Sequence, residues 1–215
     1  TKLAFDHIIF TGATSIAPHV MRAAADNLVP LTLELGGKSP VILSEGADMG
    51  LAAARIMAGK TLNAGQICLA PDYVLAPEGQ VGAFVEEARG AVARMFPTLK
   101  DNPDYTAIIA QNHYERITGY IEDARAKGAE VVELNPAGED FSQQPYRKIP
   151  PTLILNPTDD MTVMQEEIFG PVLPVKTYRG TQAAIDFVNS RERPLALYWF
   201  GSDEAAKEKV LTQTT

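Results

Sequence analysis

Short runs of β-branched and apolar residues alternate along this chain with longer stretches of helical periodicity, and that alternation restricts the fold more than any other feature. His7-Ile8-Ile9-Phe10-Thr11, Leu31-Thr32-Leu33-Glu34-Leu35, Val41-Ile42-Leu43 and Tyr73-Val74-Leu75 read as strands. Val131-Val132, Thr152 to Leu155, Val172 to Thr177 and Leu195 to Phe200 read the same way. Helical patterns lie between them. One runs from a Ser15 cap to about Asn27, with Pro18 tolerated in its first turn. Asp48 is a good N-cap for a helix to about Leu62, and the small residues Ala52, Ala53, Ala54, Ala58 and Gly59 predict close packing there. Glu78 to Met95, Gln111 to Lys127 with Gly128 as its C-cap, 181–191 and the last dozen residues complete the set. Strands and helices in alternation predict an α/β fold with a largely parallel sheet flanked by helices. The proline-rich and polar stretch 135–151 predicts a long surface connection.

Composition narrows the class. The chain has 215 residues, 46% of them hydrophobic, enough for one large α/β domain or two small ones. A net charge of −8 without any Lys/Arg run excludes the electrostatic footprint of a nucleic-acid binder. One cysteine excludes an intrachain disulfide framework and fits a reducing compartment, the cytoplasm by expectation. No apolar run approaches the roughly 18 residues of a membrane span, and the first residues lack a signal-peptide pattern. No metal site is expected.

Four stretches can carry chemistry. Cys68 follows the turn Asn63-Ala64-Gly65, which can project a thiol into a cleft. The thiolate is the nucleophile, so a reactive cysteine needs an activating neighbourhood; an inert, packed thiol is the other reading of the same pattern. Glu34 ends an otherwise apolar strand, where a carboxylate faces the crevice of an α/β sheet and can serve as a general base, or simply swings to solvent. Phe10-Thr11-Gly12-Ala13-Thr14 is a strand, a glycine turn and a helix start, a junction that can offer backbone N–H groups to a phosphate or be only a turn. In Glu166-Glu167-Ile168-Phe169-Gly170-Pro171 a carboxylate can grip a ribose diol and an aromatic ring can pack on a flat heterocycle. An acidic loop with a core phenylalanine is the alternative. His7, His19 and His113 fall in no recognisable catalytic spacing and read as surface or structural residues.

Taken together, "FDHIIFTGAT" at 5–14, "LELGGKSP" at 33–40, "GQICLAPDYV" at 65–74, "EEIFGPVLPV" at 166–175 and "RPLALYWF" at 193–200 resemble the signature segments of the aldehyde dehydrogenase superfamily. "VPLTLELGGKSP" and "APDY" are most similar to its class 3 branch. The five segments occur in order and cover essentially the whole chain.

The resemblance implies a division into residues 1–36, the C-terminal part of a Rossmann-like coenzyme domain, and residues 37–215, a catalytic domain. It implies that the family continues beyond both ends of this chain, so that this piece alone is inactive or nearly so and self-associates through exposed edges, while the whole protein is a homo-oligomer, a dimer. It assigns Cys68 as nucleophile, its backbone N–H as one oxyanion donor, and Glu34, 34 positions earlier, as the base that activates water. The second donor in the family is an upstream asparagine. Gly12 and Ala13 would lie near the pyrophosphate of NAD or NADP, Leu35 near the nicotinamide end, Glu167 on the nicotinamide ribose and Phe169 beside it. Ala13 stands where many relatives have serine, which leaves only backbone to meet a phosphate. The substrate class implied is an aromatic or medium-chain aliphatic aldehyde. A cysteine acyl-hydrolase or acyltransferase without nicotinamide, and a non-catalytic folded piece, are the competing readings; a hydrolase has no use for the Glu167 and Phe169 segment.

Overall fold

The computed structural model describes residues 3–215, and the chain divides into two compact units that meet in sequence at Gly37 and Lys38. The first unit is a strand–helix–strand. β1 (Ile8–Gly12) and β2 (Leu31–Leu35) pair in parallel, with Thr11 opposite Glu34 and Gly12 opposite Leu35. α1 (Ala17–Ala25) connects them and buries Ala17, Val20 and Ala24. The period-two alternation of a strand sorts the side chains: Ile8, Phe10, Leu31, Leu33 and Leu35 are half-buried, while Ile9, Thr11, Thr32 and Glu34 are exposed. Ser15 does not cap α1. The amides of Ile16 and Ala17 both donate to the Ala13 carbonyl, so a tight turn runs into the helix and makes Ile16 its capping residue, without a side-chain bond. Pro18 sits in the first turn, where its missing N–H does no harm.

The second unit is a six-stranded sheet. Its strands are β3 (Pro40–Leu43), β4 (Tyr73–Pro77), β5 (Glu130–Glu133), β6 (Thr152–Leu155), β7 (Val172–Tyr178) and β8 (Tyr198–Phe200), in the order β5-β6-β7-β4-β3-β8. Only β5 runs antiparallel to its neighbour. Both faces are covered, which is why these strands read as unbroken apolar runs. Val41, Leu43, Val74, Leu153, Leu173 and Val175 pack on α2 (Met49–Thr61) and α3 (Val81–Met95). On the opposite face, α4 (Gln111–Ala126) packs over Ile154 and Val172 together with the single turn α5 (Thr162–Gln165). α6 (Gly180–Asn189) and α7 (Glu204–Gln213) cover Ile42, Tyr73 and Leu75. The parallel α/β architecture is the one the alternation predicts.

Asp48 caps α2 as expected, accepting from the Leu51 amide at 3.0 Å, and Gly128 ends α4 at φ +86°. Three further expectations need correction. α3 begins at Val81 rather than Glu78, because Gly79 turns the chain at φ +87°. Leu195 to Leu197 are not part of β8: among the described residues it pairs with β3 alone, and only at Val41 to Leu43. The 135–151 connection is not all surface, since Lys148 and Ile149 are buried and Glu139 accepts from the Leu99 and Lys100 amides.

The strand order has a consequence for chemistry. β3, β4 and β7 are adjacent and parallel, so the segments that immediately precede them (38–39, 68–72 and 166–171) converge on the amino-terminal edge of one sheet.

Candidate active site

Cys68 lies in that convergence. α2 ends at Thr61, whose hydroxyl donates back to the Met57 carbonyl. The next three turning residues are all left-handed: Asn63 at φ 50°, Ala64 at φ 52° and Gly65 at φ 73°. Two non-glycine residues in this region cost on the order of 1–2 kcal/mol each, a strain that persists only where surrounding contacts impose it. The Gln66 side chain supplies such contacts, donating to the carbonyls of Asn63 (3.0 Å) and Ala107 (3.1 Å) and accepting from the Ile109 amide (2.9 Å). Cys68 follows, half-buried, in a turn closed by the Ala70 amide on the Ile67 carbonyl. Among the described residues its own N–H donates to no protein acceptor. From β8, the Tyr198 hydroxyl donates to the Leu69 carbonyl at 2.5 Å. Burial, and then the charge of nearby Cys68, hold the Tyr198 phenol above its ordinary pKa.

The glycine of the bend is required by a close approach. A Cβ on Gly65 would lie 2.8 Å from the Gly170 carbonyl carbon and 2.9 Å from the Lys60 carbonyl oxygen. The cysteine turn therefore rests directly on the backbone of the arm 166–170. A second link runs through Lys38 and Asp72. Lys38 Nζ forms an ion pair with Asp72 and also donates to the carbonyls of Val163 (2.7 Å) and Glu166 (2.8 Å). The other Asp72 oxygen accepts from the Ile168 amide at 2.9 Å. Asp72 is buried and both partners are shielded from water, where a charged pair holds only if its remaining donors and acceptors are met. Here all three ammonium protons are used.

Glu167 is half-buried on this arm, and Phe169 is 39% exposed with a left-handed backbone, φ 47°. A large apolar ring standing out from a fastened, strained loop is a surface that a flat ligand can cover. Lys60, at the end of α2, is completely buried nearby. Its pKa is lowered to about 8, chiefly by burial, with Asp72 and Glu167 opposing the shift and Lys38 adding to it.

In the first unit, Glu34 is exposed on the outer face of β2, Leu35 is half-buried opposite Gly12, and Ala13 is exposed in the turn before α1. The parallel register thus places the Gly12-Ala13 turn beside the Glu34-Leu35 strand end. The second unit brings Cys68, Glu167 and Phe169 to one sheet edge. The three histidines are exposed, and His7 pairs with the Thr32 hydroxyl at 2.9 Å. Sequence reasoning passed over Lys38, Asp72, Lys60 and Arg116. The available signal was a charged residue just before an apolar strand, which holds for Lys38 before β3 and Asp72 before β4.

A cysteine turn, a carboxylate–aromatic arm and a strand–glycine–helix junction on this α/β frame define a protein of the aldehyde dehydrogenase family, to which the chain belongs: the family model matches residues 1–215. Among individual relatives, it is 75% identical over 213 residues to a probable coniferyl aldehyde dehydrogenase of Caulobacter vibrioides, a match that covers 99% of this chain and 44% of that protein. It is 60% identical over 210 residues to the coniferyl aldehyde dehydrogenase of a Pseudomonas species, covering 98% of this chain and 44% of that one. The substrate-bound AldH of Staphylococcus aureus superposes with a TM-score of 0.91 at 39% identity, over 100% of this chain and 45% of that structure. An NADP-dependent glyceraldehyde-3-phosphate dehydrogenase of Bacillus halodurans, complexed with NADP, superposes with a TM-score of 0.85 at 28% identity, over 98% of this chain and 42% of that one. The chain therefore spans less than half the length of these relatives.

Proposed function

We propose that the whole protein oxidises an aldehyde to its carboxylic acid with NAD or NADP, and that an aromatic aldehyde of the coniferyl type is its substrate. The observation that carries this reading is the Cys68 turn, with its uncommitted N–H, fastened to an arm that exposes Phe169. Cys68 thiolate adds to the aldehyde carbon, and the carbonyl electron pair moves onto oxygen to give a thiohemiacetal. The Cys68 N–H is one donor to that oxyanion, and a donor of this kind is worth roughly 10²–10³ in rate. A nicotinamide cofactor, when bound, supplies the acceptor for the hydride that the thiohemiacetal loses. Glu34 takes a proton from water, which attacks the resulting thioester and releases the acid and the Cys68 thiolate.

The residues present suit such a cofactor. Glu167 offers a carboxylate to a ribose diol and Phe169 offers an exposed ring. The Gly12-Ala13 turn forms the strand–glycine–helix junction that leads into α1. Leu35 stands opposite Gly12. In this reading residues 1–36 belong to the coenzyme domain and 37–215 to the catalytic domain. A hydrolase without nicotinamide is disfavoured, because it would leave the Phe169 arm without a task. A reducing compartment, the cytoplasm, suits a lone cysteine that must stay a thiolate, and we assign the whole protein to a homodimer, which sedimentation would check.

Absorbance of NADH or NADPH formed from coniferyl aldehyde by the full-length protein tests the proposal. Cys68→Ala abolishes the signal. Undiminished turnover in that variant overturns the assignment.

A further inference from the structure

The arm 166–170 belongs to no helix or strand, so its backbone groups must find partners elsewhere. Side chains from three separate segments provide them. Lys38 takes the Glu166 carbonyl and Asp72 the Ile168 amide. From α4, Arg116 Nη1 donates to the Ile168 carbonyl at 2.9 Å, the Glu167 carbonyl at 3.2 Å and the Tyr120 hydroxyl at 2.9 Å. Tyr120 in turn donates to Glu166 Oε2 at 2.6 Å, and burial followed by that bond pushes its pKa up to about 12. At the end of the arm, a Cβ on Gly170 would lie 2.6 Å from Ile117 Cδ1, so the chain is also wedged against α4.

We infer that Arg116, with the Lys38–Asp72 pair, is a positioning residue: it presets the backbone of Glu167 and Phe169 for a nicotinamide cofactor. This deepens the proposed function and rests on it, since the task of the arm is to hold the cofactor. Preorganisation is the physical gain. An arm left to fluctuate would have to be ordered on binding, and that cost would come out of the cofactor affinity. Cys68 has its own supports, Gln66 and Tyr198, and these do not pass through Arg116.

The test uses the full-length protein and two readouts that need no turnover. One is the dissociation constant for NAD and for NADP by fluorescence titration. The other is the rate of Cys68 alkylation by iodoacetamide without cofactor. Arg116→Met keeps the aliphatic stem and removes the three bonds. It weakens cofactor binding roughly tenfold or more, as expected for lost hydrogen bonds to a charged donor, and leaves alkylation within about twofold of the parent. Arg116→Lys recovers part of the affinity. Tyr120→Phe deletes one oxygen from the same relay and weakens binding by a few-fold, which keeps the test open should Arg116→Met fold poorly. Unchanged affinity in both Arg116→Met and Tyr120→Phe overturns the inference, and so does an alkylation rate that falls in step with affinity. Phe169→Leu separates this from failure of the functional reading. If it too leaves cofactor binding unchanged, the arm does not hold a cofactor. If it alone weakens binding, the arm does so without Arg116.

Discussion

Replacing Gly65 by alanine puts a Cβ 2.8 Å from the Gly170 carbonyl carbon and 2.9 Å from the Lys60 carbonyl oxygen, and closer still to the Gly170 oxygen. Neither obstacle can rotate away, because both are backbone. Nor can Gly170 retreat toward α4, where Ile117 already fills the space. Two costs combine. The left-handed backbone, φ 73°, penalises any L side chain by about 1–2 kcal/mol. Overpacking adds about 1–3 kcal/mol. The expected loss is therefore about 2–5 kcal/mol. Gly79→Ala isolates the first cost, since Gly79 has φ +87° with nothing within 4 Å of its Cβ position; it should lose only about 1–2 kcal/mol. Urea unfolding of the 215-residue chain provides the assay, followed by fluorescence of its single tryptophan, Trp199, in β8 of the second unit. A Gly65→Ala protein no less stable than Gly79→Ala would refute the close approach between the cysteine turn and the arm.

Other substitutions probe the buried charges. Lys60, with its pKa lowered to about 8, carries a proton in the unfolded chain that the folded protein has released between about pH 8 and the ordinary value of 10.5. The unfolded state binds more protons there, so stability rises with pH. Relative to Lys60→Met, the parent should gain about 2 kcal/mol between pH 8 and 9.5; parallel stability curves would contradict this. Lys148 donates to the carbonyls of Leu99 (3.1 Å) and Asn102 (2.6 Å). Lys148→Met should cost about 2–4 kcal/mol in the same urea assay, since two carbonyls lose a charged donor, and a loss under 1 kcal/mol would show that water replaces it.

How much of this was legible in the sequence depended on how local the cause is. Leu31 to Leu35 forms its strand with the expected bounds because alternation within five residues decides it. Asp48 and Gly128 act within one turn of their own helices. Ser15 misled because the Ala13–Ile16 turn competes with it for the first amides of α1, and no propensity reports that competition. The length of β8 is set by β3, which is remote in sequence. The site follows the same division. Cys68, Glu167 and Phe169 stand in short segments of unusual composition, and each precedes a strand. Lys38 and Arg116 instead serve carbonyls 125 to 128 and 51 to 52 positions away. The strand order β7-β4-β3 brings Lys38 to its partners, and the packing of α4 over Ile154 and Val172 brings Arg116 to its own; pattern within a single segment encodes neither.

The central claim is that Cys68 carries the acyl group of the oxidised aldehyde. Full-length Glu34→Gln protein, mixed with NAD or NADP and coniferyl aldehyde and then acid-quenched, should accumulate that group, because the base proposed for thioester hydrolysis is gone. Mass spectrometry of the digested protein should find the acyl adduct on the peptide that contains Cys68, in nearly stoichiometric amount and sensitive to hydroxylamine. Steady turnover with an unmodified Cys68, or an adduct on any other residue, would contradict the account.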